Sequence, residues 1–182
     1  MYSIFVVHVL LVSLLGCAAL SLQSREIPIH DTMSPDLKTL LQPAGVSFGQ
    51  ASWEGTAPWC KGECSAGDLQ VAVLSGENSN WIATQSNFGS TCFIGDKVLC
   101  TSPYNKCTTS TASLQLQCAD AVHPARSNSW ILSGCQLINP GPLCSAPSST
   151  VMVRLLNPPK RSDSNGMGPG TFRADVEASC CT

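Results

Sequence analysis

Two sets of residues in this 182-residue chain could do chemistry: eleven cysteines, and a few histidines and acids. A hydrolytic site needs a nucleophile, a base and a group that orients the base. Beyond the first twenty residues the histidines are His30 and His123. His123 follows Asp120 by three positions, in a stretch with Pro124 and Arg126. That supplies a base and a carboxylate but no nucleophile, and no Gly-x-Ser-x-Gly elbow occurs. His123 and Asp120 therefore read as a solvated loop pair, with His123 exposed. Glu54 and Glu63 flank the first cysteine pair and Asp68 follows. A glycosidase would need two such carboxylates facing across a cleft, and spacing alone gives no cleft, so these read as surface acids. No catalytic residue is expected, and the chain reads as no enzyme.

The cysteines offer a sharper choice. Cys60-x-x-x-Cys64 with Cys92 and Cys100 supplies four thiolates, enough to close a tetrahedral zinc site. Against this stands the N-terminus, where Ile4 to Leu20 is an unbroken apolar run ending in small residues. That is the pattern of a secretory signal peptide, cleaved after Ala19 or Ser21, and either cut removes Cys17. A rival exists in Leu14-Leu15-Gly16-Cys17, which looks like a bacterial lipobox, but Met1-Tyr2-Ser3 lacks the usual Lys or Arg. The run is also shorter than the ~20 residues of a membrane span, and no second one approaches it.

Export leaves Cys60, Cys64, Cys92, Cys100, Cys107, Cys118, Cys135, Cys144, Cys180 and Cys181, an even number in an oxidising route, so five disulfides are expected rather than metal. Spacing cannot give the connectivity. Five of these lie at or before Cys107 and five at or after Cys118, so full pairing requires at least one bridge between the two groups. Cys180 and Cys181, as strand neighbours pointing to opposite sides, should take different partners. No metal and no cofactor is expected.

Composition narrows the partners. Charged residues are 12% of the chain, against a typical ~25%, and the net charge is −2. Without a basic stripe, nucleic acid and anionic membrane surfaces lose their electrostatic basis.

The elements that must position these residues are mostly strands. Residues 1–21 read as the signal peptide and 22–50 as an N-terminal extension or pro-segment. Within the extension, Ser34-Pro35-Asp36 reads as cap, first helical position and first-turn acid, and Leu37, Leu40 and Leu41 share one face of a short helix that Pro43 stops. Residues 51–182 read as a cysteine-rich β domain, divisible into linked sub-modules 51–107 and 108–182. Apolar and polar residues alternate over Leu69–Val73, Leu114–Cys118, Val151–Leu155 and Phe172–Cys180, the period of half-buried strands. The last two are expected to pair antiparallel, joined by a mobile loop through Asn157-Pro158-Pro159 and Asn165 to Gly170. In that loop Lys160-Arg161 reads as an exposed processing site. Ser79-Asn80-Trp81-Ile82 and Ser127-Asn128-Ser129-Trp130-Ile131 echo each other weakly. The fold class is all-β: a small, disulfide-stapled antiparallel sheet domain with a short N-terminal helix.

Trp53-Glu54-Gly55-Thr56-Ala57-Pro58-Trp59-Cys60-Lys61-Gly62-Glu63-Cys64, with Cys92 to Cys100 behind it, resembles a module of small cysteine-rich secreted proteins of fungi and invertebrates. Their opening is W-x-G-T-A-P-[FW]-C-x-G-x-C and their ending C-x-x-G-x-K-[AV]-L-C. The resemblance covers Trp53 to Cys100 and implies a secreted disulfide module with no assigned activity. The tryptophans themselves, Trp53 and Trp59 first, could form a carbohydrate- or protein-binding patch of stacked aromatics, although cover over small disulfide cores is their expected role here. The sequence therefore points to a secreted, extracellular, non-enzymatic protein with a structural, surface or binding role toward an unidentified protein or glycan. An inhibitor, toxin or effector acting through the Asn157–Gly170 loop is the alternative.

Overall fold

The computed structural model describes residues 37–76, 81–125, 130–138, 141–164 and 166–182. The leader, the Ser34–Asp36 cap and the polar lead-ins of the two echoed segments fall outside the described residues. The chain is mostly β. Among the described residues one helix, α1 (Leu37–Leu41), precedes ten strands: β1 (Ala51–Glu54), β2 (Trp59–Lys61), β3 (Leu69–Leu74), β4 (Ile82–Thr84), β5 (Ile94–Thr101), β6 (Cys107–Val122), β7 (Ile131–Ile138), β8 (Ser149–Leu155), β9 (Lys160–Arg161) and β10 (Gly170–Cys181).

The larger sheet has the order β4-β8-β10-β6-β7, with β9 added on β10. Its spine is β10, where Phe172, Ala174, Val176 and Ala178 are all buried. Phe172 stands opposite Leu116 and Ala174 opposite Leu114. Alternation puts these side chains on one face, and that face is the core. The sheet curls, and its two outer strands, β4 and β7, both meet α1. Leu37 and Leu41 are fully enclosed in the same core as Phe172, Leu132 and Val153. The part of the extension from Leu37 onward thus plugs the open side of the curl, and Gly49 N–H donates to Thr150 O as the chain leaves it. As expected, β8 and β10 pair antiparallel, with Val176 opposite Leu155 and Ala178 opposite Val153.

The smaller sheet is built on β5. β1 and β3 pair with it antiparallel, and β2 pairs with it parallel. Here the alternation expected for Leu69, Val71 and Val73 breaks. Val71 is an extra residue between Gln70, opposite Cys100, and Ala72, opposite Leu99. The resulting bulge reverses the faces, so Val73 is exposed.

All ten cysteines pair: Cys60–Cys92, Cys64–Cys100, Cys107–Cys181, Cys118–Cys135 and Cys144–Cys180. Cys107–Cys181 is the bridge required by the five-and-five division, and Cys180 and Cys181 do take different partners. Cys107, however, opens β6, so both of its sulfurs lie at the end of one strand pair. The first two bridges therefore serve the smaller sheet and the other three the larger, with none between them. What joins the sheets is an exchange of backbone. β4 lies between β3 and β5 in sequence yet pairs with β8, Ala83 opposite Val153. Trp81 and Trp130, which open β4 and β7, both pack on the larger core. The cysteines that follow them have unrelated partners, so the echo ends at those two edges.

The β8–β10 connection differs from an unbraced loop. Lys160 and Arg161 form β9 and pair with Arg173 and Phe172, occupying the edge of β10 that β8 has left. The Arg161 side chain is 7% exposed. Its Nε donates to Asp163 Oδ1 at 2.5 Å and its guanidinium to Pro169 O at 2.7 Å, while its carbon lies over the rings of Trp130 and Phe172. The dibasic pair is therefore folded into the sheet, not displayed as a cleavage site.

Candidate functional site

The four tryptophans have different surroundings, set by which strands flank them. Trp53 stands opposite Leu99 in the β1–β5 ladder and is half-buried. Its ring meets Phe88 edge-on at 4.8 Å between centroids. The buried Lys97 completes that cluster, its Nζ donating to Phe88 O at 2.6 Å and lying 4.7 Å from the Phe88 ring centre. Trp53 is thus cover for the smaller core.

Trp59 is not. It is 63% exposed, with Phe93 at 77% and Ile94 at 58% beside it. The Trp59 and Phe93 rings meet edge-on with centroids 5.6 Å apart, and Trp59 stands opposite Ile94 in the parallel β2–β5 pair. The structure therefore separates Trp53 from Trp59: their partners on β5 are five residues apart, about 16 Å along a strand. Phe93 and Ile94, which the sequence reading passed over, take Trp53's place. The signal for them was weak, two apolar residues beside a cysteine.

Three features hold this patch in shape. The Cys60–Cys92 disulfide ties the residue after Trp59 to the residue before Phe93. Phe93 N–H and Ile94 N–H both donate to Pro58 O, at 2.7 and 3.2 Å. Gly95 has φ of +80°, and a Cβ there would lie 1.9 Å from Cys60 O, so only glycine allows β2 this close. The result is an apolar ridge of three large side chains on a braced backbone, with Lys61 and Asp96 exposed at its end.

His123 is exposed and its ring contacts Trp130 edge-on, centroids 4.9 Å apart. The carboxylate of Asp120, itself exposed, accepts from the Ala121 amide at 2.8 Å. The Asp175 carboxyl is held below its ordinary pKa. The Arg173 guanidinium is the main cause, followed by the Ser113 hydroxyl. A general acid needs the opposite shift. No group of three His, Cys, Asp or Glu among the described residues can hold a metal ion. No described helix is long and apolar enough to cross a membrane.

No known family model, curated protein or solved structure matches this chain. The functional reading therefore rests on the geometry of the patch.

Proposed function

We propose that this is a secreted, non-enzymatic, disulfide-stapled binding protein that engages an extracellular protein or glycan through Trp59, Phe93 and Ile94. The exposure of the Trp59–Phe93 pair carries the reading. Large aromatics dominate interface energetics and anchor hot spots, and a contiguous exposed apolar group is what a monomeric surface normally avoids. Bracing by a disulfide and by two hydrogen bonds to Pro58 O lowers the ordering cost of binding. Five disulfides suit an oxidising extracellular setting. The resemblance of Trp53–Cys100 to secreted cysteine-rich modules belongs to the same reading, with Trp59 as the recognition residue of that opening. Trp53 drops out of the binding role because its ring is engaged with Phe88.

A second reading, a secreted inhibitor or effector acting through the loop, draws on Met167. This side chain is 73% exposed in a loop that Arg161 braces through Asp163 and Pro169 O. The two separate on one panel of extracellular proteins and glycans. Binding lost in Trp59→Ala/Phe93→Ala but kept in Met167→Ala supports the patch. The reverse pattern supports the loop, and turnover of any panel substrate refutes both.

A further inference from the structure

β7 is an outer strand of the larger sheet, and none of its eight residues, Ile131 to Ile138, is charged or proline. Natural sheets blunt an open edge with charge, proline, bulges or brevity. β4, the opposite edge, is three residues long. β7 carries one irregularity: Gly134, at φ of +59°, drops out of the ladder together with Ala119 opposite it, between the Cys118–Cys135 and Asp120–Ser133 pairs, and the register is kept. Its backbone has groups to offer. Cys118 and Cys135 stand opposite each other with Cα atoms 3.9 Å apart, the close approach of a pair that exchanges no ladder hydrogen bonds. The N–H and C=O of Cys135, and by alternation those of Leu137, therefore point away from β6. Among the described residues no backbone hydrogen bond reaches that edge. α1 meets β7 through its core-facing leucines.

The sequence of the strand identifies its partner. Ile-Leu-Ser-Gly-Cys-Gln-Leu-Ile reads with matched classes from both ends. If two copies lie antiparallel about a two-fold axis between Gly134 and Cys135, Ile131 faces Ile138, Leu132 faces Leu137, and Ser133 faces Gln136. The faces also agree, because Leu132 and Leu137 turn toward the core, whereas Ser133 and Gln136 are exposed. A strand with 2-residue periodicity keeps that agreement only if something resets it midway, and the Gly134 irregularity does so at the axis. We infer that β7 is a self-association edge, joining a second copy of this chain into a continuous sheet across an isologous two-fold interface. This does not depend on the Trp59 patch, which lies on the other sheet.

The test is sedimentation of the oxidised mature protein over a concentration series, with two double variants at exposed positions. Both carry Ser133→Lys, which suits Asp120 beside it on β6. Adding Gln136→Lys sets like charges opposite each other twice across the axis. Adding Gln136→Glu sets opposite charges there instead. The wild type should dimerise, the Lys/Lys variant should dissociate at about tenfold lower dimer affinity or worse, and the Lys/Glu variant should remain dimeric. A wild type that stays monomeric overturns the inference. So does a dimer that ignores both double variants, or one that both abolish equally. Far-ultraviolet circular dichroism of each variant should match the wild type, and a dimer that survives Trp59→Ala separates this edge from the aromatic patch.

Discussion

The helix that plugs the curled sheet is the part of the fold most open to direct challenge, because the sequence reading left the extension equally free to be discarded. Leu37 and Leu41 are each 0% exposed and Leu40 3%. Truncating one such leucine removes its transfer energy and leaves a cavity, a cost of about 2–5 kcal/mol. Without the expected leader the chain would be about 160 residues, a size at which about 1 kcal/mol moves the melting temperature by about 2–4 °C. Leu41→Ala, at about 3 kcal/mol, should thus lower it by about 6–12 °C with all disulfides intact. A chain beginning at Gln42 should lose more, since β4 and β7 would then face an empty core. Thermal melting followed by circular dichroism reads both, and a Ser47→Ala control should barely move. If the chain from Gln42 melts within about 2 °C of the longer one, the helix contributes nothing and the plugged-sheet description is wrong.

Four other outcomes follow from the same structure. The oxidised protein should weigh about 2 mass units less per bridge than the reduced one, for all five pairs; a stoichiometric free thiol would contradict the pairing. Arg161→Gln should cost about 1–3 kcal/mol, because it strips donors from Asp163 and Pro169 O, and native-state trypsin should then cut after Lys160, the site both proteins keep, faster; equal cleavage there would mean that the loop is open already. Trp59→Ala should leave the melting temperature within about 2 °C of wild type, as expected for a side chain 63% exposed, whereas Trp53→Ala should lower it visibly. The Asp175 carboxyl, held low by Arg173 and Ser113, stabilises the fold above its ordinary pKa and loses that contribution as pH falls through the lowered one. The Asp175→Asn variant should therefore match wild-type stability only at strongly acidic pH and never exceed it near neutrality.

Much of the larger sheet was legible in the sequence because local alternation survives there. Phe172 through Ala178 and Leu114 through Cys118 alternate as read, since both strands are central and one face of each is buried, whereas from Ser179 to Cys181 both faces are buried. The smaller sheet was less legible for two reasons. An extra residue at Val71 reverses the faces, which no local pattern announces, and β2 lies parallel to β5 because a bridge and Gly95 hold it there. The exchange of β4 into the other sheet is a long-range choice, invisible in three residues. The same limit applied to the tryptophans. Trp53 and Trp59 carry equal hydrophobicity, and only the presence of Phe88 over one and solvent over the other makes Trp59 the candidate for binding. The arrangement of Arg161 between two rings depends on β10 being vacated by β8, so a dibasic pair in a Gly/Pro-rich stretch read as an exposed site.

The Trp59–Phe93–Ile94 ridge is the proposed seat of the partner. Hydrogen exchange of the protein with and without a partner captured on the panel addresses this most directly. A partner seated there should slow exchange only over Trp59–Lys61 and Cys92–Asp96, and not in the Trp59→Ala/Phe93→Ala variant. Protection centred instead on the loop around Met167, or on no part of β2 and β5, would contradict it.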